Sequence, residues 1–229
     1  ILYNAIEKGH DDTIKYLIES RHKLGIIIEE MKILHLACRI RNMEIVNLIH
    51  NTHFDTQLED QGTPIHLACT NAYSDVAIQL LERFPDKINV LGQYLGQYEM
   101  HVLHYACRYG HLELLKYIFG NPNFDIDFNV VDRRGNTPLH QACSTYIGPG
   151  HFEIVKFLLQ NSDEKGIDVY KKNNDQETAE DFARRKGHND IVELLELWTQ
   201  LKQLNTIEAN IAKLEAEKFR LKTLKRKHF

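Results

Sequence analysis

The chain of 229 residues lacks the features that several protein classes require. No stretch approaches the roughly 20 uninterrupted apolar residues that span a bilayer, and no signal peptide is visible. Its four cysteines are too few and too widely spaced for a secreted disulfide scaffold, which favours a reducing, cytoplasmic compartment. The chain begins at Ile1 without a methionine, inside a patterned segment, so we expect it to be part of a longer protein.

Sequence motifs for catalysis and nucleotide binding are also missing. The chain contains no G-x-x-x-x-G-K-[ST], no G-x-G-x-x-G, no H-E-x-x-H and no C-x-x-C. We therefore predict that it has no catalytic residues, binds no cofactor and is not an enzyme.

What the chain does contain is one short phrase in four versions. These are "LHLAC" (34–38), "IHLAC" (65–69), "LHYAC" (103–107) and "LHQAC" (139–143). Each places a His and a Cys on one helical face, as zinc ligands can be. Packed helices lie about 8–10 Å apart, however, whereas zinc bonds are about 2.0–2.3 Å, so pairs from neighbouring helices cannot converge on one ion. We predict no metal site and a structural role for the phrase.

The phrase belongs to a longer repeat. The alanines of the four copies are spaced 31, 38 and 36 residues apart, and weaker copies extend the frame in both directions. Each copy predicts a short helix, a turn that is often Gly-His, and a second amphipathic helix. The Gly-His turns are predicted at Gly9-His10, Gly110-His111, Gly150-His151 and Gly187-His188. The six units have their anchors at Ala5, Ala37, Ala68, Ala106, Ala142 and Ala183.

The copies "DRRGNTPLHQAC" (132–143) and "QGTPIHLAC" (61–69) carry the pattern T-P-L-H-x-A at a period near 33. This pattern resembles the ankyrin repeat, and the resemblance covers about residues 1–197. It implies an all-α solenoid of paired antiparallel helices with hairpin finger loops, in which the T-P-L-H histidine links neighbouring units by a backbone hydrogen bond. Two units depart from the pattern: His101-Val102 replaces T-P in the fourth, and Asp181 replaces the His in the sixth.

The resemblance also implies a protein partner on the concave face, formed by the finger tips and the exposed side of the first helices. We take as candidates the two residues after each Ala-Cys and the residues of two fingers, including the inserted finger "GQYLGQYEM" (92–100). Tyr and Arg, which dominate interface hot spots, are well represented among them. The candidates are Arg39, Ile40, Thr70, Asn71, Tyr94, Gln97, Tyr98, Arg108, Tyr109, Arg133, Arg134, Ser144 and Thr145.

Residues 198–229 form the second predicted region, a long helix. Neither Pro nor Gly occurs after Gly187, so the last helix of the repeats has no stop signal. Its apolar residues recur at heptad spacing, which is typical of coiled coils. They are Leu197, Leu204, Ile207, Ile211, Leu214 and Leu221.

Three interpretations of this helix stay open. It can fold back as a cap over the solenoid, pair with another helix or a second copy, or lie free. Residues 218–229 carry six Lys or Arg and no acid, while the rest of the chain has 22 basic against 32 acidic side chains. A free helix would bring this basic end to an acidic surface, a membrane or nucleic acid, although nucleic acid is disfavoured by the scarcity of aromatic residues.

The leading functional hypothesis is thus a protein-interaction scaffold. The alternative is an interaction domain of a larger membrane channel, enzyme or pathogen effector, with the long helix as connector.

Overall fold

The computed structural model describes residues 4–5, 8, 10–20, 30–48, 63–89, 91–94, 98–144 and 149–227. Within these ranges the side chains at 11, 30–32, 48, 92–94, 98, 149–150 and 219–227 lie outside the description. The candidates Gln97 and Thr145, and the side chains of Tyr94, Tyr98 and Leu221, therefore lie outside the described part of the chain.

The described residues form helices arranged in successive pairs, with one hairpin. The first half holds α1 (Asp11–Glu19), α2 (Glu30–Ile40), α3 (Met43–Leu48), α4 (Pro64–Thr70), α5 (Ser74–Arg83), a 3-10 turn (Pro85–Asn89), β1 (Leu91–Tyr94) and β2 (Tyr98–His101). The second half holds α6 (Val102–Tyr109), α7 (Leu112–Gly120), α8 (Pro138–Ser144), α9 (Pro149–Gln160), α10 (Ser162–Lys165), α11 (Ala179–Lys186) and α12 (Asn189–Lys227).

Two layers of helices result from stacking these pairs. The first helices α2, α4, α6, α8 and α11 pack each against the next, and the second helices α5, α7, α9 and α12 do the same. The anchors Ala37, Ala68, Ala106, Ala142 and Ala183 are fully buried where the layers meet. A small side chain is needed there because larger ones would hold neighbouring helices apart. The predicted all-α solenoid of helix pairs is confirmed.

The helix ends follow local sequence signals, with one exception. Pro64 and Pro138 open α4 and α8, where the fixed φ of proline suits the first turn. Gly110 and Gly187 end α6 and α11 with φ of 84° and 78°, so the predicted turns there are confirmed. The predicted turn at Gly150-His151 is wrong. Both residues lie in the first turn of α9, because Pro149 starts that helix.

The inserted finger before α6 is an antiparallel hairpin. Leu91 pairs with His101 and Tyr94 with Tyr98, so β2 runs directly into α6. The first helix of the fourth unit is thus entered from a strand, and its first turn is held by the end of the hairpin.

The last helix, α12, runs for 39 residues without interruption. Its start packs on the fifth unit: the rings of Trp198 and Tyr170 lie 6.2 Å apart, and Lys202 pairs with Asp163. Residues 203–218 are all exposed. The interpretation of this helix as a cap folding back is therefore wrong for the described residues. The boundary predicted between 197 and 198 falls inside this helix and stays a prediction.

Candidate protein-binding face

The finger before α8 is organised around the buried carboxylate of Asp132. Its Oδ1 accepts hydrogen bonds from the backbone N–H groups of Arg134 (2.8 Å) and Asn136 (2.9 Å). Its Oδ2 accepts from the side-chain amides of Gln141 (2.8 Å) and Asn136 (3.1 Å). The left-handed Gly135 closes the turn. A buried charge satisfied by four N–H groups holds this finger, and thus its tip, in one conformation.

Neighbouring fingers are also tied to one another. The Asn173 amide donates to Asn136 Oδ1 (2.9 Å), and the Asn174 amide donates to the Arg133 carbonyl (3.1 Å). On the other side, Arg133 forms an ion pair with Glu99 of β2 at 2.6 Å. The fingers of the fourth, fifth and sixth units therefore form one continuous edge.

Buried histidines of the first helices donate hydrogen bonds to the backbone of these fingers. The His104 Nε2–H donates to the carbonyl of Asn136 in the next finger (2.9 Å), and its Nδ1 accepts from the His101 backbone N–H (3.1 Å). His140 likewise donates to the Glu177 carbonyl (3.0 Å). Burial lowers the pKa of both imidazoles below its ordinary value, so they stay neutral near pH 7. The linking role implied by the resemblance is confirmed for these two residues.

The two units that depart from the repeat pattern replace its hydrogen bonds with other groups. The His101 Nδ1 accepts from the Leu103 N–H at 3.1 Å and so caps α6 as a threonine hydroxyl would. Burial, chiefly, lowers the pKa of His101 to about 3. In the sixth unit Asp181 accepts from the Thr178 backbone N–H at 2.9 Å, completing a capping box. In the sequence, His101 and Asp181 depart from the repeat pattern. In the structure, they make the same kind of capping hydrogen bond as the residues they replace.

The four His-x-x-Cys pairs are part of this framework. Burial raises the pKa of all four thiols, so they stay protonated and serve as small apolar side chains. The ring nitrogens of His104 and His140 are already engaged within and between units. Within the described part of the chain, no group of three or more His, Cys, Asp or Glu is placed to hold a metal ion.

A cleft of about 200 Å³ opens between the finger of the fifth unit and helices α6, α8 and α11. Three cationic side chains line it, those of Arg108, Arg134 and Lys186. Arg108 also donates to Gln141 Oε1 at 3.0 Å. The carboxylate at the cleft, that of Asp132, is buried and already accepts four hydrogen bonds. The remaining lining residues are Met100, Asn136, Gln141, Ser144 and Phe182. The cleft thus offers cations around a polar floor with one aromatic edge.

Three of the sequence-predicted candidates line this cleft: Arg108, Arg134 and Ser144. Others lie elsewhere on the same layer. Arg39 and Ile40 are exposed at the end of α2.

Several candidates make contacts within the chain. Tyr109 stacks on Tyr105 at 6.3 Å, while Thr70 and Asn71 both donate to the Leu67 carbonyl at 2.9 Å. Arg133 is joined to Glu99, as described above. These contacts hold the side chains in place, and they also reduce what each can offer to a partner.

Sequence reasoning missed Gln141, Phe182 and Lys186. Lys186 had a signal, because it stands three residues after Ala183, as Tyr109 stands three after Ala106. The Ala-Cys pattern does not reach it, because the sixth unit has Ala183-Arg184 instead. Phe182 and Gln141 had no such signal, since their exposure to the cleft depends on the packing of neighbouring units.

No helix among the described residues is long and apolar enough to cross a membrane.

Comparison with known proteins agrees with this architecture. The family model described as "Ankyrin repeats (3 copies)" matches residues 2–91 and 103–200. The chain is 27% identical over 165 residues to the probable 26S proteasome regulatory subunit p28 of Saccharomyces cerevisiae, covering 71% of this chain and 68% of that protein.

Two further relatives match over smaller shares of their own lengths. They are the mouse serine/threonine-protein kinase TNNI3K (30% identity, 58% of this chain, 16% of the kinase) and the S. cerevisiae target of rapamycin complex 2 subunit AVO2 (30%, 54% and 26%). The chain thus spans only a small part of these two proteins. Because the family model covers most of the residues and the structure stacks the same helix pairs, the chain belongs to the ankyrin repeat family.

Proposed function

We propose that this chain is an interaction scaffold whose fourth to sixth units bind an acidic segment of a protein partner. Ankyrin repeats generally mediate protein–protein interaction and are typically non-catalytic. The observation that carries the proposal is the convergence of Arg108, Arg134 and Lys186 on one cleft, where the Asp132 carboxylate is buried and already used. Carboxylates of a partner would be complementary to the positive charge of these three side chains.

The rigidity of the cleft favours binding. Its finger is held by the Asp132 hydrogen bonds and by its links to the neighbouring fingers, so little conformational entropy is lost when a partner docks. Phe182 adds an apolar edge, which suits an acidic segment that also contains a hydrophobic side chain. Two of the relatives are named as subunits of larger assemblies, which agrees with an interaction role.

A peptide titration tests the proposal. The probe is a fluorescein-labelled peptide of about 12 residues, rich in Asp and Glu with one Phe, compared with the same peptide carrying Asn and Gln. Fluorescence anisotropy should show binding of the acidic peptide only. The triple variant Arg108→Ala, Arg134→Ala, Lys186→Ala should weaken it by at least about tenfold.

A matched variant controls for net charge. Lys15, Lys116 and Lys156 are exposed on α1, α7 and α9, in the layer of second helices. Replacing these three by alanine removes the same charge from the other layer and should leave the affinity nearly unchanged. Equal losses in the two triple variants would mean nonspecific attraction and would overturn the assignment of the cleft. The inserted hairpin with Tyr94 and Tyr98 stays a predicted further contact.

A second function, pairing of α12 with another helix, is favoured by its exposed apolar side chains. Between 51% and 70% of each of these side chains is exposed, although burial of a large aliphatic side chain is worth about 1.5–3 kcal/mol. They are Leu197, Leu201, Leu204, Ile207, Ile211 and Leu214.

Affinity purification with the intact chain and with a chain ending at Lys202 tests helix pairing. The shorter chain keeps the contacts of Trp198 and Lys202 with the array, so we expect its repeats to stay folded. Partners lost only from the shorter chain are helix partners. Identical partner sets would contradict the pairing of α12 with other proteins.

A further inference from the structure

The exposed apolar face of α12 borders the array at its start, where Leu197 and Leu201 line a groove with Lys156, Leu159 and Gln160 of α9, and it extends beyond the array from Leu204 onward. Successive helical residues are rotated by about 100°, which places Ile191 and Leu195 on the side opposite Leu197 and Leu204. Ile191 and Leu195 are 0% and 1% exposed against the array, whereas Leu197 and Leu204 are 56% and 58% exposed. A partner helix can therefore lie along this face, from the exposed Glu193 onward, without displacing the repeats.

Heptad positions along this face define a coiled-coil seam. Positions a hold Leu197, Leu204, Ile211, Lys218 and Lys225, and positions d hold Gln200, Ile207, Leu214 and Leu221. The seam is apolar in its middle and has lysines only toward its end. Any occupant must leave those lysines opposite polar or acidic groups, because a like charge across the seam is costly.

We propose that a second copy of this chain occupies the seam as an antiparallel coiled coil, with the two-fold axis beside Ala209. The proposal rests on the helix pairing proposed above and names the partner. In this register every a position faces a d position of the other copy. Ile211 faces Ile207, Leu204 faces Leu214, Leu197 faces Leu221, Lys218 faces Gln200, and Lys225 faces Glu193.

One register thus satisfies all five pairs at once. The apolar residues meet apolar residues, and both seam lysines meet a neutral amide or a carboxylate. A parallel, in-register pair would instead place Lys218 against Lys218 and Lys225 against Lys225. Gln200, Glu193 and Lys218 are exposed, so the surface needed for the end pairs is open where it is described.

The overall charge of the helix favours the same orientation. Residues 218–227 carry six basic and no acidic side chains, whereas residues 189–217 carry six acidic and two basic ones. Antiparallel pairing lays each basic end over the acidic part of the other copy. One contact opposes it, because the two copies of Glu208 lie on the same side of the axis. This repulsion predicts that Glu208→Gln tightens the dimer.

Pairing in this direction would place the two arrays at opposite ends of a helical rod. Each array then presents its own cleft, so the dimer is bivalent toward a partner with repeated acidic segments, and its avidity exceeds the affinity of one cleft.

Sedimentation velocity of the full chain from about 1 to about 100 µM tests the proposal. We expect a concentration-dependent dimer. Ile207→Glu and Ile211→Lys, each alone, should give a monomer with unchanged helicity by circular dichroism, because both side chains are exposed in the single chain. The double variant should dimerise again, since the carboxylate at 207 faces the ammonium at 211 of the other copy.

Each other outcome overturns the proposal. A chain that stays monomeric throughout this range would exclude the second copy as occupant. A double variant that stays monomeric while the parent dimerises would exclude the antiparallel register. Neither result bears on cleft binding or on pairing with other proteins, which the peptide titration and the truncated chain decide separately.

Disulfide trapping gives an independent measurement, because the four native cysteines are buried. Chains with Gln200→Cys and chains with Lys218→Cys are oxidised alone and after mixing. Antiparallel pairing predicts a covalent dimer only in the mixture. Cross-links within each separate sample would show parallel pairing and would overturn the proposal.

Discussion

The imidazole of His111 donates from Nε2 to the carbonyl oxygen of Cys69, 2.6 Å away and one unit earlier in the array. The same ring accepts a hydrogen bond from the Ser74 hydroxyl at 2.6 Å. His151 repeats the arrangement by donating to the Arg108 carbonyl at 2.9 Å. The carbonyls at the end of a helix lack partners within it. These histidines supply partners across the boundary between units.

Replacing His111 by alanine should therefore destabilise the array. Loss of the ring leaves the Cys69 carbonyl with the longer hydrogen bond from the Ala72 N–H (3.3 Å) and opens a small cavity, which costs about 2–3 kcal/mol. Urea unfolding followed by circular dichroism measures the change. His10 occupies the equivalent position in the first unit but is exposed, so His10→Ala should change the unfolding free energy by less than about 0.5 kcal/mol. Equal effects would contradict the bridging role.

Acidification should weaken the fold through His101. The folded pKa of His101 is about 3, whereas its ordinary value is 6.5. Below pH 6.5 the His101 imidazole binds a proton in the unfolded chain but stays neutral in the folded chain. The stability present at neutral pH is therefore lost as the pH falls toward 3. From about pH 7 to about pH 5 this group alone removes about 2 kcal/mol.

The variant His101→Thr isolates that effect. Threonine caps a helix in the same way and does not titrate in this range. Urea unfolding at several pH values should show a shallower pH dependence for the variant, while the part contributed by His104, His111 and His140, whose pKa values burial also lowers, remains. Parallel curves for variant and parent would show that His101 does not carry the effect.

Two glycines should respond in opposite directions to alanine. At Gly135 φ is 75°, and an added Cβ would lie 2.5 Å from Asn174 Oδ1 and 2.9 Å from the Asn174 backbone nitrogen. Gly135→Ala should lower the unfolding free energy by about 2–3 kcal/mol. Gly120 ends α7 with no heavy atom within 4 Å of such a Cβ, so Gly120→Ala should raise it by about 0.5–1 kcal/mol. Thermal unfolding of the two variants measures both changes in stability.

The start of α12 is expected to be held by Trp198 more than by Lys202. Trp198 packs half-buried against the core and Tyr170, so Trp198→Ala should cost about 1–2 kcal/mol. In the ion pair of Lys202 with Asp163 the Asp163 side chain is largely exposed, so the pair is worth less than about 1 kcal/mol. Amide hydrogen exchange of residues 189–200 should speed up in Trp198→Ala and stay nearly unchanged in Lys202→Ala. Faster exchange in Lys202→Ala than in Trp198→Ala would show instead that the ion pair holds the start of α12.

The helix pairs and the long last helix were predictable because their signals are local. Alanine anchors, proline at helix starts and glycine at helix ends each act within a few residues, and α12 continues because nothing after Gly187 stops it. The error at Gly150 has the same origin, because the Gly-His pattern predicts a turn whereas the neighbouring Pro149 begins a helix there.

The pairing of helices and their buried face were therefore contained in the order of the residues, since periodicity expresses them directly. The six-unit count and the heptad register of α12 stay predictions. The basic cleft was not contained in that order. Arg108, Arg134 and Lys186 come from three units, and their convergence depends on how finger and helix stack. Tertiary packing also pairs Arg133 with Glu99 and leaves Leu204 exposed along α12. Contacts between segments that are distant in the sequence decide the surroundings of each side chain, and no local pattern contains them.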